Sequence, residues 1–168
     1  MNDLQLWQYL CIGLIFVWTG FVRAGLGFGG AALGLPLLLL VVDSPIVFLP
    51  LIGVHLLVFT ALTVRTSWGQ IDWKFLGWAL KIMIIPKLLG VFGLLNLPNE
   101  WMTLIVYVVA LIYGLSYITG RSFTSHSRWV DVLLLVVGAY ISGTSLIGAP
   151  LIVAVFARHV DRSCLRDT

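Results

Sequence analysis

Arg23 opens the densest run of glycines in the chain, Ala24-Gly25-Leu26-Gly27-Phe28-Gly29-Gly30. A guanidinium is a permanent cation with a planar fork of donors, suited to carboxylate, sulfite, sulfonate or phosphate oxygens. Each glycine costs a helix about 1 kcal/mol relative to alanine, so this run must either let helices touch or bend the backbone around a ligand. An unwound turn would leave amide N–H groups without intrahelical partners, and the positive end of the next helix would begin beside them. Arg23 with Gly25, Gly27, Gly29 and Gly30 therefore outlines an anion site. The alternative is packing: Gly25 with Gly29 and Gly30 with Gly34 are small-xxx-small pairs, and Arg23 then simply ends a span at the cytoplasmic face.

A second stretch echoes the first. Gly20 to Leu33 reads GFVRAGLGFGGAAL and Gly138 to Leu151 reads GAYISGTSLIGAPL, which pairs Gly20 with Gly138, Gly25 with Gly143 and Gly30 with Gly148. Here Ser142, Thr144 and Ser145 supply hydroxyls, neutral donors that can replace an anion's hydration shell. Their competing fate is to bond back to a helix carbonyl. If the two stretches meet, Arg23 stands on one side of an anion cage, with Ser142, Gly143, Thr144, Ser145 and Gly148 on the other.

Three more polar residues fall inside apolar segments, where an ionisable group is expensive and usually has a task. His55 could relay a proton, or stay neutral and bond a neighbouring helix. Lys81 can snorkel to the membrane surface. Lys87, after Pro86 near the centre of its segment, has less chance to escape and is the better pathway candidate. Gly25, Gly27 and Gly30 also satisfy GxGxxG, but that fingerprint needs a preceding strand in a soluble βαβ unit, so no dinucleotide site is expected. No HExxH, CxxC or buried carboxylate pair is present, and the only Glu is Glu100. An enzyme is not expected, nor a cofactor or a metal site. Cys11 and Cys164 form neither a metal pattern nor a disulfide framework.

The elements holding these residues must lie in lipid. Of 168 residues, 60% are hydrophobic and 10% charged, and the mean hydropathy is +1.06, whereas a soluble domain is roughly a quarter charged. That excludes a soluble domain, a disordered chain, a nucleic-acid binder and a secreted disulfide scaffold. The net charge of +3 fits basic loops beside anionic headgroups. A cleaved signal peptide is not expected, because Asn2-Asp3 opens the chain without a basic region. Apolar segments run Leu4 to Val22, Ala24 to Val42, Pro45 to Val64, Phe75 to Leu97, Trp101 to Thr119 and Val132 to Ala157. Trp73, Trp101 and Trp129 at segment ends read as interface anchors. Backbone in hydrocarbon must be bonded internally, and no alternating strand pattern appears, so the fold class is all-α: a polytopic helical membrane bundle. The last segment overshoots the bilayer and should break or fold back near Gly143-Thr144-Ser145, with Pro150 beyond. Residues 4–42 make either two spans or one hairpin.

Arg65, Lys74, Arg121, Arg128, Arg158, Arg162 and Arg166 fall in loops or the tail that can share one side, with Asp43 and Glu100 opposite. Basic loops belong in the cytoplasm, so the N-terminus is expected outside. An odd number of crossings separates the two glycine stretches, which makes the second copy inverted, a transporter signature. Residues 1–119 then form a first transmembrane repeat and 120–168 the start of a second, incomplete one: a truncated transporter, or a half needing a partner such as a second copy of itself. The rival reading is a non-transporting truncated protein or a packing subunit.

The Gly25 to Pro36 segment, Gln70-Ile71-Asp72-Trp73, the Gly90 and Gly93 pair followed by Leu97-Pro98, and Gly148-Ala149-Pro150 resemble the sulfite exporter TauE/SafE family. The resemblance implies a bacterial inner-membrane permease of two inverted halves that moves sulfite, organosulfonates or related carboxylates. It also implies substrate between the two glycine segments, at Gly25, Gly27, Gly29, Gly30, Gly143 and Gly148. The second segment departs from the family's usual Gly-Gly-Pro by reading Gly-Ala-Pro.

Overall fold

The computed structural model describes residues 4–26, 30–119 and 127–165. Its α-helices are α1 (Leu6–Leu26), α2 (Gly30–Val41), α3 (Pro45–Ser67), α4 (Trp73–Asn96), α5 (Asn99–Ile118), α6 (Arg128–Ser145), α7 (Ala149–His159) and the single turn α8 (Arg162–Leu165). One 3-10 turn, Trp68–Gln70, joins α3 to α4. There the Asp72 carboxylate caps α4 by accepting from the backbone N–H groups of Lys74 and Phe75, at 3.2 and 3.0 Å. Those donors have no partner inside the helix, which is why an Asp at this position starts it.

Within the described residues, four helices are long and apolar enough to cross a membrane: Leu6–Gly25, Pro45–Gln70, Trp73–Asn96 and Asn99–Ser116. Their side chains point the apolar way out, with Phe21, Leu95 and Ile118 more than 70% exposed. Thr19, Asp131, Thr144 and Ser145 are buried instead. That distribution suits a solvent of lipid, in which polar groups retreat to the bundle interior. The fully buried apolar side chains include Leu35, Phe48, Ala79, Val106, Leu135, Ile147 and Val155, so each helix from α2 to α7 places at least one there.

Of the two alternatives for residues 4–42, two spans or one hairpin, the structure takes the hairpin. Helix α1 runs on through Leu26, and α2 has only 12 residues from Gly30, about 18 Å of rise against a hydrocarbon slab of about 30 Å. The two form a hairpin. Its base is closed where Gln8 Nε2 donates to the Val41 carbonyl at 3.2 Å, and near its tip Gly30 lies against Thr19 and Arg23.

The last apolar segment is broken as expected, but later than Gly143-Thr144-Ser145. Helix α6 continues through Ser145, and the break falls at 146–148, where Leu146 takes a left-handed conformation with φ of 60°. Helix α7 then folds back for 11 residues. Gly148 packs on Gly138, and the hairpin base is closed by Asp131 against Arg158 and His159. Glycine at Gly148 is required by proximity, since a Cβ there would collide with the Gly138 carbonyl oxygen.

The two hairpins enter from opposite ends of the bundle. Thr103, in the first turns of α5, donates to Asp43 at 2.9 Å, which places the base of the first hairpin at the α5 start. Phe75, at the α4 start, stacks on His159 with ring centroids 5.3 Å apart, which places the base of the second hairpin at the other end. Arg65, Lys74, Arg128 and Arg158 gather at that second end, while Asp43 and Glu100 lie at the first. Between them, α5 packs on α2, α3 and α6. Its buried residues Met102, Val106, Val109 and Tyr113 form one narrow stripe at helical spacing.

Candidate functional site

Helices α1, α2 and α3 enclose a narrow cleft lined by Thr19, Arg23, Gly30, Gly34 and His55 among others. The local sequence explains why it can form. A Cβ on Gly34 would strike the Thr19 methyl, and one on Gly30 would lie 3.1 Å from the Thr19 carbonyl oxygen and 3.4 Å from Arg23 Cβ. Only a small residue lets α2 approach α1 this closely. Thr19 turns its hydroxyl inward along the helix, donating to the Phe16 carbonyl at 3.0 Å.

Arg23 occupies the last turn of α1, where a cation complements the negative end of the helix dipole. Its Nη2 donates to Thr60 Oγ1 across to α3. Gly30 is the first residue of α2, so the positive end of that helix opens beside Arg23. His55 stands on the third wall. Its ring lies between Phe16 and Phe59, with centroids 5.8 and 4.6 Å away, and its Nε2 is buried with no hydrogen-bond partner among the described residues. The cleft has free space for about one water in this conformation, so a larger solute needs the walls to part.

The expected site residues are thus divided. Arg23, Gly30 and His55 come together. Gly25 lies inside α1 with open space where a Cβ would go. Gly27 and Gly29 lie outside the described residues. None of Ser142, Gly143, Thr144, Ser145 and Gly148 is among the residues lining the cleft. Gly143 instead meets the backbone of α4: a Cβ there would collide with the Lys87 carbonyl oxygen, and one on Gly90 with that of Tyr140. The hydroxyls of Thr144 and Ser145 both donate to the Ile141 carbonyl at 3.0 Å. Ser142 is half-buried, its carbonyl accepting from the Leu146 N–H at 3.1 Å. Lys87 and Lys81 are exposed on α4, and of Lys87 it is the main chain that meets Gly143.

Sequence reasoning missed one cluster. Asp131 is buried in the first turn of α6, with Oδ1 2.9 Å from Arg158 Nη2 and Oδ2 2.8 Å from His159 Nε2. Arg158 Nε also donates to the Ala154 carbonyl at 2.9 Å. The signal available was the acid itself, since an Asp opening an apolar segment must find a cation if it is buried. It also missed Thr19, one turn before Arg23 on α1, and Thr60, which the course of α3 brings to Arg23.

Four spanning helices, no strand among the described residues and two short helices folded back from opposite ends define a polytopic helical membrane protein. Residues 12–162 match the family described as Sulfite exporter TauE/SafE, and the chain belongs to that family of membrane transporters. No curated protein and no solved structure matches the chain.

Proposed function

We propose that this chain is part of a permease for small oxyanions, sulfite first and organosulfonates or related carboxylates beside it. The observation that carries the reading is the convergence of Arg23, the N-terminus of α2 and His55 on one cleft. A fixed cation and a helix N-terminus attract an anion, and their donors replace part of its water shell. Substrate enters when the hairpin and α3 separate, and Thr60 releases the guanidinium to it.

The second hairpin is the inverted counterpart of the first, with residues 1–119 as the first repeat and 120–168 as the start of a second. Support comes from position: shifting by 118 residues lays Gly30, the start of α2, on Gly148, just before α7. In this reading Gly143 and Gly148 serve close packing, while Ser142, Thr144 and Ser145 turn to substrate only when their helix moves. The membrane is the bacterial inner membrane, with the end carrying Arg65, Lys74 and Arg128 in the cytoplasm and the N-terminus outside, on the positive-inside argument.

Efflux of labelled sulfite from cells expressing the protein tests the function. Arg23→Ala is expected to lower the rate by at least about tenfold, the effect of losing one charge-assisted contact. An unchanged rate at equal expression would remove Arg23 from the site.

A further inference from the structure

The cleft holds one permanent cation and one group able to become a second. From α1 the only charged group facing His55 is Arg23, and α2 contributes none among the described residues lining the cleft. On its own helix the neighbours are the Phe59 ring and Thr60, which already accepts from Arg23. Buried Nε2 therefore has no acid to pair with, and no acceptor among the described residues.

Charge balance decides what such an arrangement can bind. Net charge is costly in a narrow space lined largely by apolar walls. A singly charged anion is balanced by Arg23 alone. A dianion brings one more negative charge, and its oxygens only accept hydrogen bonds, so they require a donor at Nε2. An imidazolium at His55 supplies both the donor and the missing charge.

We propose that the cleft binds a dianionic oxyanion together with one proton, held on His55. The proton comes from bulk water, the imidazole becomes imidazolium, and its Nε2–H donates to an anion oxygen. The inference rests on the anion reading given above and adds to it a proton carried with each doubly charged solute.

The test uses the full chain in lipid nanodiscs, titrated calorimetrically with two probes whose own charge does not change near neutrality: sulfate, a dianion, and methanesulfonate, a monoanion. Sulfate affinity should fall about tenfold for each pH unit above the titration of His55, with about one proton taken up per anion. Methanesulfonate affinity should not change over the same range. His55→Gln should abolish the sulfate slope, and His55→Asn serves as a second variant should the first misfold. A sulfate affinity independent of pH, or an unchanged slope in a folded His55 variant, overturns the proposal and leaves the anion site standing. Failure of the wild-type chain to bind either probe overturns the anion site and this inference with it.

Discussion

The first hairpin carries its cation near the tip and closes its base with a neutral bond, Gln8 to the Val41 carbonyl. The second does the reverse, with hydroxyls near its break and an ionic cluster at its base, Asp131 between Arg158 and His159. Both are built as a long helix, a break and a short helix returning along it. In both, the glycine at the turn packs on a main-chain carbonyl of the long helix, Gly30 on Thr19 and Gly148 on Gly138. The same backbone plan thus serves two ends. A hairpin that walls a cleft, with a buried imidazole Nε2 lacking a partner among the described residues, suits a solute, and one with an ionic base suits a fixed support.

That contrast can be broken most directly at the turn glycines. Gly148→Ala forces a Cβ into the Gly138 carbonyl and should cost about 3 kcal/mol or more. Gly30→Ala meets neighbours only at 3.1 to 3.4 Å and should cost about 1 kcal/mol. Thermal unfolding of the purified proteins in one detergent compares them, and equal losses would mean the tips are equally tight. The bases come next. Asp131→Ala leaves the Arg158 guanidinium, only 17% exposed, without its carboxylate, and should cost about 2 to 3 kcal/mol. Gln8→Ala should lose about 0.5 to 1 kcal/mol. Chemical denaturation midpoints would show it, and an Asp131 variant as mild as the Gln8 variant would erase the difference between the two bases. The smallest effect belongs to Gly25→Ala, which has open space around it inside α1 and should gain about 0.5 to 1 kcal/mol. If it instead abolishes sulfite transport while folding normally, Gly25 belongs to the site after all.

The lipid environment was legible in composition, and the breaks were legible in glycine density, because both depend on residue type alone. The register of the second break was not. Gly143 looks like the natural place to unwind, yet it is held helical by close contact with α4, and the left-handed turn falls on Leu146. Gly25 and Gly143 are the same residue at matched positions, and only the neighbouring helix shows that one is free and the other wedged. Asp131 and His159, 28 residues apart, become partners only because α7 folds back. Arg23 was found from its glycines, whereas the cleft around it depends on Thr19 and His55, brought together by the course of α2 and α3.

The Gly90 and Gly143 contact has a mechanical side. At that crossing main chain meets main chain with no side chain between, which ties α4 closely to α6. The first hairpin and α3 reach that pair chiefly through α5, whose narrow stripe from Met102 to Tyr113 is buried. A bulkier residue on that stripe is therefore expected to loosen the join between the two halves of the bundle without touching either tip.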